Sequence, residues 1–286
     1  MNLINTDLTI LNREMKKYRK VLIIAGSDSG GGAGIQADLK TVSALGCYGT
    51  TAITAITAQN TLGVNAIHPI PVDIIEKQIS AVLEDIGADA VKIGMLHSVE
   101  IIMTVYKALE ERKVKNIVLD PVMVSASGDK LIKDNTLDTL TGFLFPIADI
   151  ITPNIPETNI LLNCDIAIKD DMIESAKSLL KFGSKSVLLK GGHMKGNILF
   201  DVYSGINGDG DVKIFENMKV NTKNVHGTGC TLSSAIASFL AQGDKLEVAV
   251  QNAIDYLHNA IEHGKDYITG LGNGPVNHFF NPKKLK

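Results

Sequence analysis

A glycine-rich stretch in the last third of the chain carries the clearest chemical signal. His226-Gly227-Thr228-Gly229-Cys230-Thr231 runs into an apolar segment that predicts a helix from Thr231 to Ala241. Backbone N–H groups at a helix N-terminus lack partners and carry the positive end of the helix dipole, and Gly227 and Gly229 leave room for a phosphate to reach them. The pattern therefore predicts an anion site. A glycine-rich lead into a buried helix is the alternative.

Cys230 falls in the first turn of this predicted helix. A helix N-terminus favours the thiolate, so we expect a thiol pKa below the free value of about 8.5, which would let Cys230 accept or steer a proton. The alternative is a small apolar side chain that fills space.

A second glycine-rich loop, Gly26 to Gly34, follows a predicted strand and precedes a predicted helix that contains Asp38 and Lys40. Its glycines are spaced G-x-G-x-G, and the next strand ends in Gln59-Asn60 without the acid that binds ribose in dinucleotide sites. No Gly-Lys-Ser/Thr closes the loop, so it is not a Walker A motif. The loop predicts a close backbone approach, with a purely structural turn as the alternative.

Asn154 and Glu157 follow a third predicted strand, in Thr152-Pro153-Asn154-Ile155-Pro156-Glu157. On a first helical turn, residues three apart share one face, so the amide and the carboxylate could hold a hydrated magnesium ion beside a triphosphate. The same spacing is typical of a capping box, in which Asn154 caps the helix and the Glu157 side chain, at the third helical position, accepts from the backbone amide of Asn154. The sequence leaves both interpretations open.

Two more polar residues stand at predicted strand ends, Asp120 and Lys190. Asp120 could bind a water of a magnesium shell, and Lys190 could offer a cation to a phosphoryl group in transfer. Solvated side chains without a ligand are the alternative. The seven histidines include no pair with metal-ligand spacing on a helix, so we do not expect a histidine-held metal.

The elements that must position these residues alternate between buried strands and helices, which predicts an α/β fold. Five short apolar runs predict central strands: Val21 to Ala25, Ala90 to Ile93, Asn116 to Leu119, Asp149 to Ile151 and Ser186 to Leu189. Further strands are predicted near one sheet edge, at Tyr48 to Thr57 and in a hairpin of Leu199 to Ser204 with Val212 to Val220. Helices are predicted at Ile35 to Leu45, Val72 to Ile86, Ile101 to Arg112, Asp171 to Phe182, Thr231 to Ala241 and Leu246 to His263.

Composition limits the classes of function. The chain of 286 residues has 28 basic and 31 acidic residues, a net charge of -3, so it has no field to gather nucleic acid or an anionic membrane. Three widely spaced cysteines imply neither disulfides nor zinc and fit a reducing, cytoplasmic compartment. No apolar run has the roughly 20 residues of a membrane span. We expect an N-terminal extension over residues 1–19 and a single domain over residues 20–286.

Together, and in this order, these blocks resemble the hydroxymethylpyrimidine/phosphomethylpyrimidine kinases of thiamine biosynthesis, in the ribokinase-like superfamily. The resemblance extends from Val21 to the tail Gly272-Asn273-Gly274-Pro275-Val276-Asn277-His278-Phe279. It implies a three-layer α/β/α domain with a central, mostly parallel sheet, acting as a homodimer on ATP with magnesium. The family's positions for the pyrimidine ring correspond to Gly26, Asp38, Thr57, Gln59 and Met95.

The resemblance also implies roles around the phosphates. Asn154 and Glu157 would manage magnesium and phosphate, with Asp120 reaching the metal through water. Lys190 and Thr228 would touch the nucleotide phosphates, and Gly227 to Cys230 would form the anion hole. Cys230 would face the substrate hydroxyl, where most of the superfamily has Asp and the pyrimidine kinases and some pyridoxal kinases have Cys.

The expected activity is phosphorylation of 4-amino-5-hydroxymethyl-2-methylpyrimidine, first on its hydroxymethyl oxygen and then on the resulting phosphate. A pyridoxal or pyridoxine kinase of the same fold is the nearest alternative, and Gln59 argues against it. A Rossmann-type oxidoreductase and a phosphometabolite sensor without turnover are more distant alternatives. Ser125 to Lys130 and Gly205 to Gly210 are predicted lids.

Overall fold

The computed structural model describes residues 16–123, 136–205 and 212–285. Within them, nine strands form one sheet in the order β3-β2-β1-β4-β5-β6-β7-β8-β9. The strands are β1 (Lys20–Asp28), β2 (Tyr48–Asn60), β3 (Gly63–Pro69), β4 (Ala90–Ile93), β5 (Ile117–Leu119), β6 (Ile150–Ile151), β7 (Ser186–Leu189), β8 (Ile198–Gly205) and β9 (Val212–Met218).

Six neighbouring strands, β2, β1, β4, β5, β6 and β7, pair in parallel, while β3, β8 and β9 join the two ends of this core antiparallel. Every residue of β4, β5, β6 and β7 is buried. Continuous burial is what a parallel sheet covered on both faces requires. The prediction of a mostly parallel central sheet is confirmed.

Helices connect the strands along the chain. They are α1 (Gly34–Ala44), α2 (Val72–Ala81), α3 (Val99–Glu111), α4 (Thr136–Thr139), α5 (Phe145–Ile147), α6 (Ile155–Leu162), α7 (Lys169–Leu179), α8 (Thr228–Ala241) and α9 (Leu246–Glu262). Short π-helical turns follow α2 (Val82–Ile86) and separate α4 from α5 (Leu140–Leu144), and a 3-10 turn (Leu180–Phe182) follows α7.

The helices form two layers because successive side chains of a strand point to opposite faces of the sheet. From β1, Leu22 and Ile24 enter one apolar cluster together with buried residues of α2, α3, α6 and α7. Val21, Ile23 and Ala25 enter a second cluster with α1, α8 and α9. The sheet therefore lies between two helix layers, as the resemblance implied.

Several boundaries differ from the sequence predictions. The strand at Tyr48–Asn60 and the hairpin of β8 and β9 lie at opposite edges of the sheet, so the prediction of one shared edge is wrong. Strand β3 was not predicted because it is mostly exposed and has no buried face. Helix α8 begins at Thr228, three residues before the predicted start at Thr231, so the glycine-rich stretch is itself the first turn.

Some predictions fall on residues that the structure does not describe. These are the first predicted lid, Ser125 to Lys130, residues 206–210 of the second lid, and residues 1–15 of the predicted extension. The division at residue 20 stays a prediction, although β1 begins at Lys20. Among the described helices, none has the length and apolar character needed to cross a membrane.

Replacement of Leu22 by Ala should lower the free energy of unfolding by about 2 to 5 kcal/mol, because it opens a cavity in the first apolar cluster. Urea denaturation followed by circular dichroism measures this. Leu271→Ala is the matched control: Leu271 is 92% exposed, so its loss should stay below about 0.5 kcal/mol. Equal losses in the two variants would contradict the burial of Leu22.

Candidate active site

The carboxyl ends of the parallel strands bring the predicted site residues to one edge of the sheet. Ligand sites of open α/β sheets lie at this edge. Each of six neighbouring strands delivers at least one predicted residue at or just beyond its end: Gly26 from β1, Thr57 and Gln59 from β2, Met95 after β4, Asp120 after β5, Asn154 after β6 and Lys190 after β7.

The two glycine-rich loops touch each other at this edge. Gly227 has a φ of 79°, and a Cβ there would overlap with the carbonyl oxygen of Gly32. A Cβ at Gly32 would in turn overlap with the ring of His226. Gly34 has a φ of 55°, and a Cβ there would overlap with the carbonyl oxygen of Gly26. Glycine is required at these positions because the backbones approach without room for a side chain.

This contact sets two helix N-termini side by side. Helix α1 begins at Gly34 after the N-cap Ala33, and α8 begins at Thr228 after the N-cap Gly227; neither N-cap makes a side-chain hydrogen bond. The Thr228 amide donates to the Val225 carbonyl at 3.3 Å. Helical geometry leaves the next two amides of α8 without intrahelical acceptors. The arrangement can therefore bind an anion.

A lysine faces this turn. Lys190 Nζ donates to Asp120 Oδ1 at 2.8 Å, and Thr152 Oγ1 donates to the same oxygen at 3.1 Å. A Cβ at Gly229 would lie 3.2 Å from Lys190 Nζ and 3.3 Å from Asp120 Oδ2. Burial alone would lower the pKa of Lys190, but Asp120 and Glu157 raise it overall, so the ammonium stays charged. A fixed cation thus stands opposite the exposed amides.

Asn154 and Glu157 form a capping box at the start of α6. The Asn154 amide donates to Glu157 Oε2 at 2.8 Å, and the Glu157 amide donates to Asn154 Oδ1 at 2.9 Å. The capping interpretation is therefore confirmed, but it does not exclude a role in the site, because Glu157 is buried near Lys190 and Asp120. Burial raises the pKa of Glu157 to about 7; Lys190 opposes this shift and Asp120 adds to it.

The carboxylates fit a magnesium ion that is shared with a nucleotide. No group of three or more His, Cys, Asp or Glu residues in the described ranges could hold a metal alone. Magnesium usually keeps its waters and uses one or two carboxylates together with substrate phosphates. Asp120, whose Oδ2 faces Gly229, and the titratable Glu157 provide two such groups.

On the other side of Gly227, polar side chains surround Gln59. Its Nε2 lies 3.4 Å from His226 Nε2, and its Oε1 lies 3.1 Å from Thr57 Oγ1. Thr57 is buried and also donates to the Ser27 carbonyl at 2.9 Å. Thr57 therefore contacts Gln59 and the backbone of β1, and its position suits it to orient the Gln59 amide.

Asp28 holds the loop of Gly26 to Gly34, and the sequence analysis did not assign it this role. Its carboxylate accepts the amides of Gly30 at 2.8 Å, Gly32 at 3.1 Å and Ala33 at 2.8 Å, and lies 3.0 Å from His226 Nε2. Burial raises the pKa of Asp28, but these hydrogen bonds outweigh burial and lower it. The available signal was an Asp just before a glycine run, which is typical of a carboxylate that caps its own turn.

Gly26 and Met95 form an apolar wall next to Gln59's strand. Both are buried, and a Cβ at Gly26 would lie 3.2 Å from Met95 Sδ. The Met95 carbonyl accepts from Thr54 Oγ1 at 2.8 Å, which ties the wall to β2. The predicted contact of these residues with a ring stays a prediction.

Asp38 lies deeper than the resemblance implied. Its carboxylate has no exposed surface, both of its oxygens accept from Lys92 Nζ at 2.9 and 2.8 Å, and Oδ1 also accepts from Ser234 at 2.7 Å. Asp38 can therefore influence the site only through these neighbours.

The predicted low pKa of Cys230 is wrong. Burial raises the pKa of the thiol to about 12; Lys92 lowers it, while Asp38 and Asp120 raise it further. The helix N-terminus acts on the thiol, but the sequence did not show that partial burial and two carboxylates would outweigh it. At neutral pH Cys230 is a thiol.

A cavity of about 320 Å³ lies beside residues 222–224, which precede the glycine-rich stretch at Gly227 to Gly229. Residues 222–224 form one wall and residues 265–272 the other. Asn224 connects the walls, since its Nδ2 donates to the carbonyls of Gly264 at 2.7 Å and Tyr267 at 2.6 Å. The cavity is large enough for a heterocyclic ring.

The model of one protein family, described as phosphomethylpyrimidine kinase, matches residues 28–277. A hydroxymethylpyrimidine/phosphomethylpyrimidine kinase of Haemophilus influenzae is 45% identical over 93% of this chain and 98% of its own length. A thiamine biosynthesis bifunctional protein of Geobacter sulfurreducens is 46% identical over 98% of this chain. The chain spans only 57% of that bifunctional protein.

Among solved structures, the ADP complex of Bacillus subtilis pyridoxal kinase is similar with a TM-score of 0.84. It is 36% identical, and the match covers 92% of this chain and 98% of that chain. This likeness and the sheet order confirm the predicted ribokinase-like α/β/α fold.

Stability should depend on pH through Glu157. Its pKa in the folded state, about 7, is above the ordinary value of 4.5, so folding favours the protonated carboxyl. Its contribution is complete below about pH 4.5 and is lost as pH rises through about 7, which amounts to about 3 kcal/mol. Glu157→Gln keeps a capping side chain but cannot titrate.

Urea unfolding with EDTA at pH 5 and pH 8 measures this contribution. Wild type should lose more unfolding free energy over this interval than Glu157→Gln, by roughly 2 to 3 kcal/mol. When the loss of unfolding free energy in Glu157→Gln is subtracted from the loss in wild type, the contributions of the other titrating groups cancel. Parallel losses would show that Glu157 titrates normally.

Proposed function

Because the chain belongs to the phosphomethylpyrimidine kinase family, we propose that it transfers the γ-phosphoryl group of ATP to 4-amino-5-hydroxymethyl-2-methylpyrimidine. A second transfer to the resulting monophosphate gives the diphosphate used in thiamine biosynthesis. The observation that carries this proposal is the position of Lys190 Nζ, 3.2 Å from where a Gly229 side chain would begin, beside the open first turn of α8.

The chemistry expected of this arrangement is positioning and charge neutralisation. Phosphoryl transfer passes through a loose transition state whose charge lies on the outer phosphoryl oxygens. The amides of Gly229 and Cys230 would receive one of these oxygens, and the ammonium of Lys190 would neutralise another. Asp120 and Glu157 would hold magnesium, which supplies further neutralisation of the phosphates when bound.

The pyrimidine ring would lie between Gln59 and the wall of Gly26 and Met95. The amide of Gln59 offers a donor and an acceptor, which match the ring nitrogen and the exocyclic amine of an aminopyrimidine. Cys230 would stand beside the hydroxymethyl oxygen as a neutral thiol. A thiol with a pKa near 12 orients the acceptor without removing its proton in advance, and a loose transition state needs little prior deprotonation.

The cavity between residues 222–224 and 265–272 would take the adenine ring of ATP, with Thr228 at the phosphates between it and Lys190. Only Val225 to Gly227 separate its wall at residues 222–224 from the first turn of α8 along the chain. The bound nucleotide would then point its terminal phosphate towards Gly229.

A pyridoxal kinase is the second candidate, and the likeness to the pyridoxal kinase of Bacillus subtilis favours it. Pyridoxal also has an aromatic nitrogen ring with a hydroxymethyl group, but it lacks the exocyclic amine that Gln59 would recognise. Membership of the kinase family removes the Rossmann-type oxidoreductase from the candidates.

We also propose that the protein acts as a homodimer in the cytoplasm. The edge strand β3, its turn from β2 and the neighbouring part of β2 expose apolar side chains, among them Ile67, Leu62 and Ile56. Unpaired sheet edges of this kind are surfaces for association. In the described part of the chain, none of the three cysteines, Cys47, Cys164 and Cys230, is in a disulfide, which suits a reducing compartment.

A coupled ADP assay tests the activity. With ATP and magnesium, the protein should release ADP in the presence of the aminopyrimidine and convert it to a diphosphate, identified by mass spectrometry. Pyridoxal should give a kcat/KM at least tenfold lower, because one hydrogen bond to Gln59 is missing. ADP release with pyridoxal and none with the pyrimidine would favour the second candidate and contradict the first.

Gly229→Ala should separate stability from activity. A methyl group at this position would meet Lys190 Nζ and Asp120 Oδ2 and fill the space where the phosphoryl group passes. We expect kcat/KM to fall about 100-fold, while the free energy of unfolding stays equal or rises by up to about 1 kcal/mol, because Ala is the better helix former. Unchanged kcat/KM would remove this turn from the mechanism.

A further inference from the structure

Lys92, on the central strand β4, is among the largest fully buried side chains of the protein. Its ammonium lies between the two oxygens of Asp38, and neither side chain has exposed surface. Buried ion pairs can often be replaced by apolar residues without loss of stability. A fully buried pair beside the active-site edge therefore calls for an explanation other than stability.

Contacts between α1 and α8 place this pair relative to Cys230. Cys230 and Ser234 are four residues apart on α8, so their side chains lie on one face of that helix. Ser234 Oγ donates to Asp38 Oδ1 at 2.7 Å, and Asp38 holds the ammonium of Lys92. The ion pair therefore lies about one helical turn from Cys230, on the side of α8 that contacts α1.

The charges around the thiol come from three elements. Lys92 faces it from β4, Asp38 from α1, and Asp120 from the loop after β5. Of these, only Lys92 favours negative charge at Cys230. Burial alone would lower the pKa of Lys92, but Asp38 and the other negative groups raise it overall. The ammonium is therefore a permanent charge.

We propose that Lys92 is a positioning residue whose ammonium, clamped by Asp38 and tied to α8 through Ser234, orients and polarises the Cys230 thiol under the phosphate-binding turn. Asp38 and Ser234 fix the distance between the Lys92 ammonium and the Cys230 thiol, and the ammonium supplies the electrostatic field that acts on the thiol. The inference rests on the proposed function only in placing Cys230 beside the acceptor hydroxyl. There, the polarised sulfur accepts the hydrogen bond of the hydroxyl more strongly as that oxygen gives electron density to phosphorus and its proton becomes more acidic.

The double variant Asp38→Asn/Lys92→Met tests this, because it removes both charges and leaves no unpaired one. The rate of alkylation by iodoacetamide at pH 8 is measured at each cysteine by mass spectrometry. The exposed Cys164 is the internal control and the buried Cys47 the background. Lys92 acts on the thiol more strongly than Asp38, which opposes it, so the ratio of the Cys230 rate to the Cys164 rate should fall by about threefold. The kcat should also fall, by about tenfold, with KM for ATP within twofold.

A matched lysine variant controls for charge alone. Lys185→Met also breaks a lysine–aspartate pair, with Asp149, but at an exposed site; it should leave the labelling ratio unchanged. If the double variant does not fold, Ser234→Ala keeps both charges and unties Asp38 from α8; the ratio should then fall about threefold. An unchanged ratio in the folded double variant, or in Ser234→Ala, would overturn the proposal.

The labelling result does not depend on the substrate. A lower Cys230 labelling ratio in the variants, together with no turnover of any pyrimidine by the wild type, would refute the proposed function and leave the role of Lys92 intact. Normal turnover of the pyrimidine by the wild type, with an unchanged labelling ratio in the variants, would support the proposed function and refute the role of Lys92.

Discussion

The contact between Gly227 and Gly32 is the constraint on which the site depends. It leaves no room for a Cβ, and it brings the first turns of α1 and α8 together at the carboxyl edge of the sheet. Two positive helix ends, neither capped by a side chain, then meet at one place. Lys190 adds a full charge beside them, and Asp120 holds that lysine in position.

The same contact couples the two halves of the site. His226 precedes Gly227, packs on Gly32, and lies within reach of both Asp28 and Gln59. A displacement of the phosphate-binding turn would therefore move the side chain expected to read the ring. Below the turn, Asp38 and Lys92 occupy the space between the two helices and the sheet. Recognition and transfer rest on one packed unit, which explains why glycines and small polar residues dominate its sequence.

Much of the fold could be predicted from the sequence because short apolar runs followed by glycine, such as Val21 to Ala25 before Gly26, suit a strand buried on both faces. The edge strands were harder. The exposed β3 has no buried face, and the position of β8 and β9 at the far edge depends on pairing with β7, which local sequence does not encode. The start of α8 was placed three residues late because glycine is a poor helix former, whereas here tertiary contact with Gly32 fixes the turn.

For the site, the sequence indicated which residues lie together at the carboxyl edge of the sheet, but it did not indicate their protonation states. Asn154 and Glu157 were open between a cap and a ligand, and the structure shows the cap together with a buried carboxylate beside Lys190. The pKa of Cys230 and the burial of Asp38 depend on partners that lie far apart in the chain. Asp28 was missed because its role lies in backbone amides of its own loop.

Amide NMR of the labelled protein addresses the anion site most directly. The central claim is that the free amides in the first turn of α8 receive the phosphoryl group in transfer. ADP, magnesium and aluminium fluoride, added with the pyrimidine, reproduce that group. The account predicts that the amide resonances of Gly229 and Cys230 move downfield more than those of any other helix N-terminus. If these two resonances stayed in place while the nucleotide bound, the central claim would be contradicted.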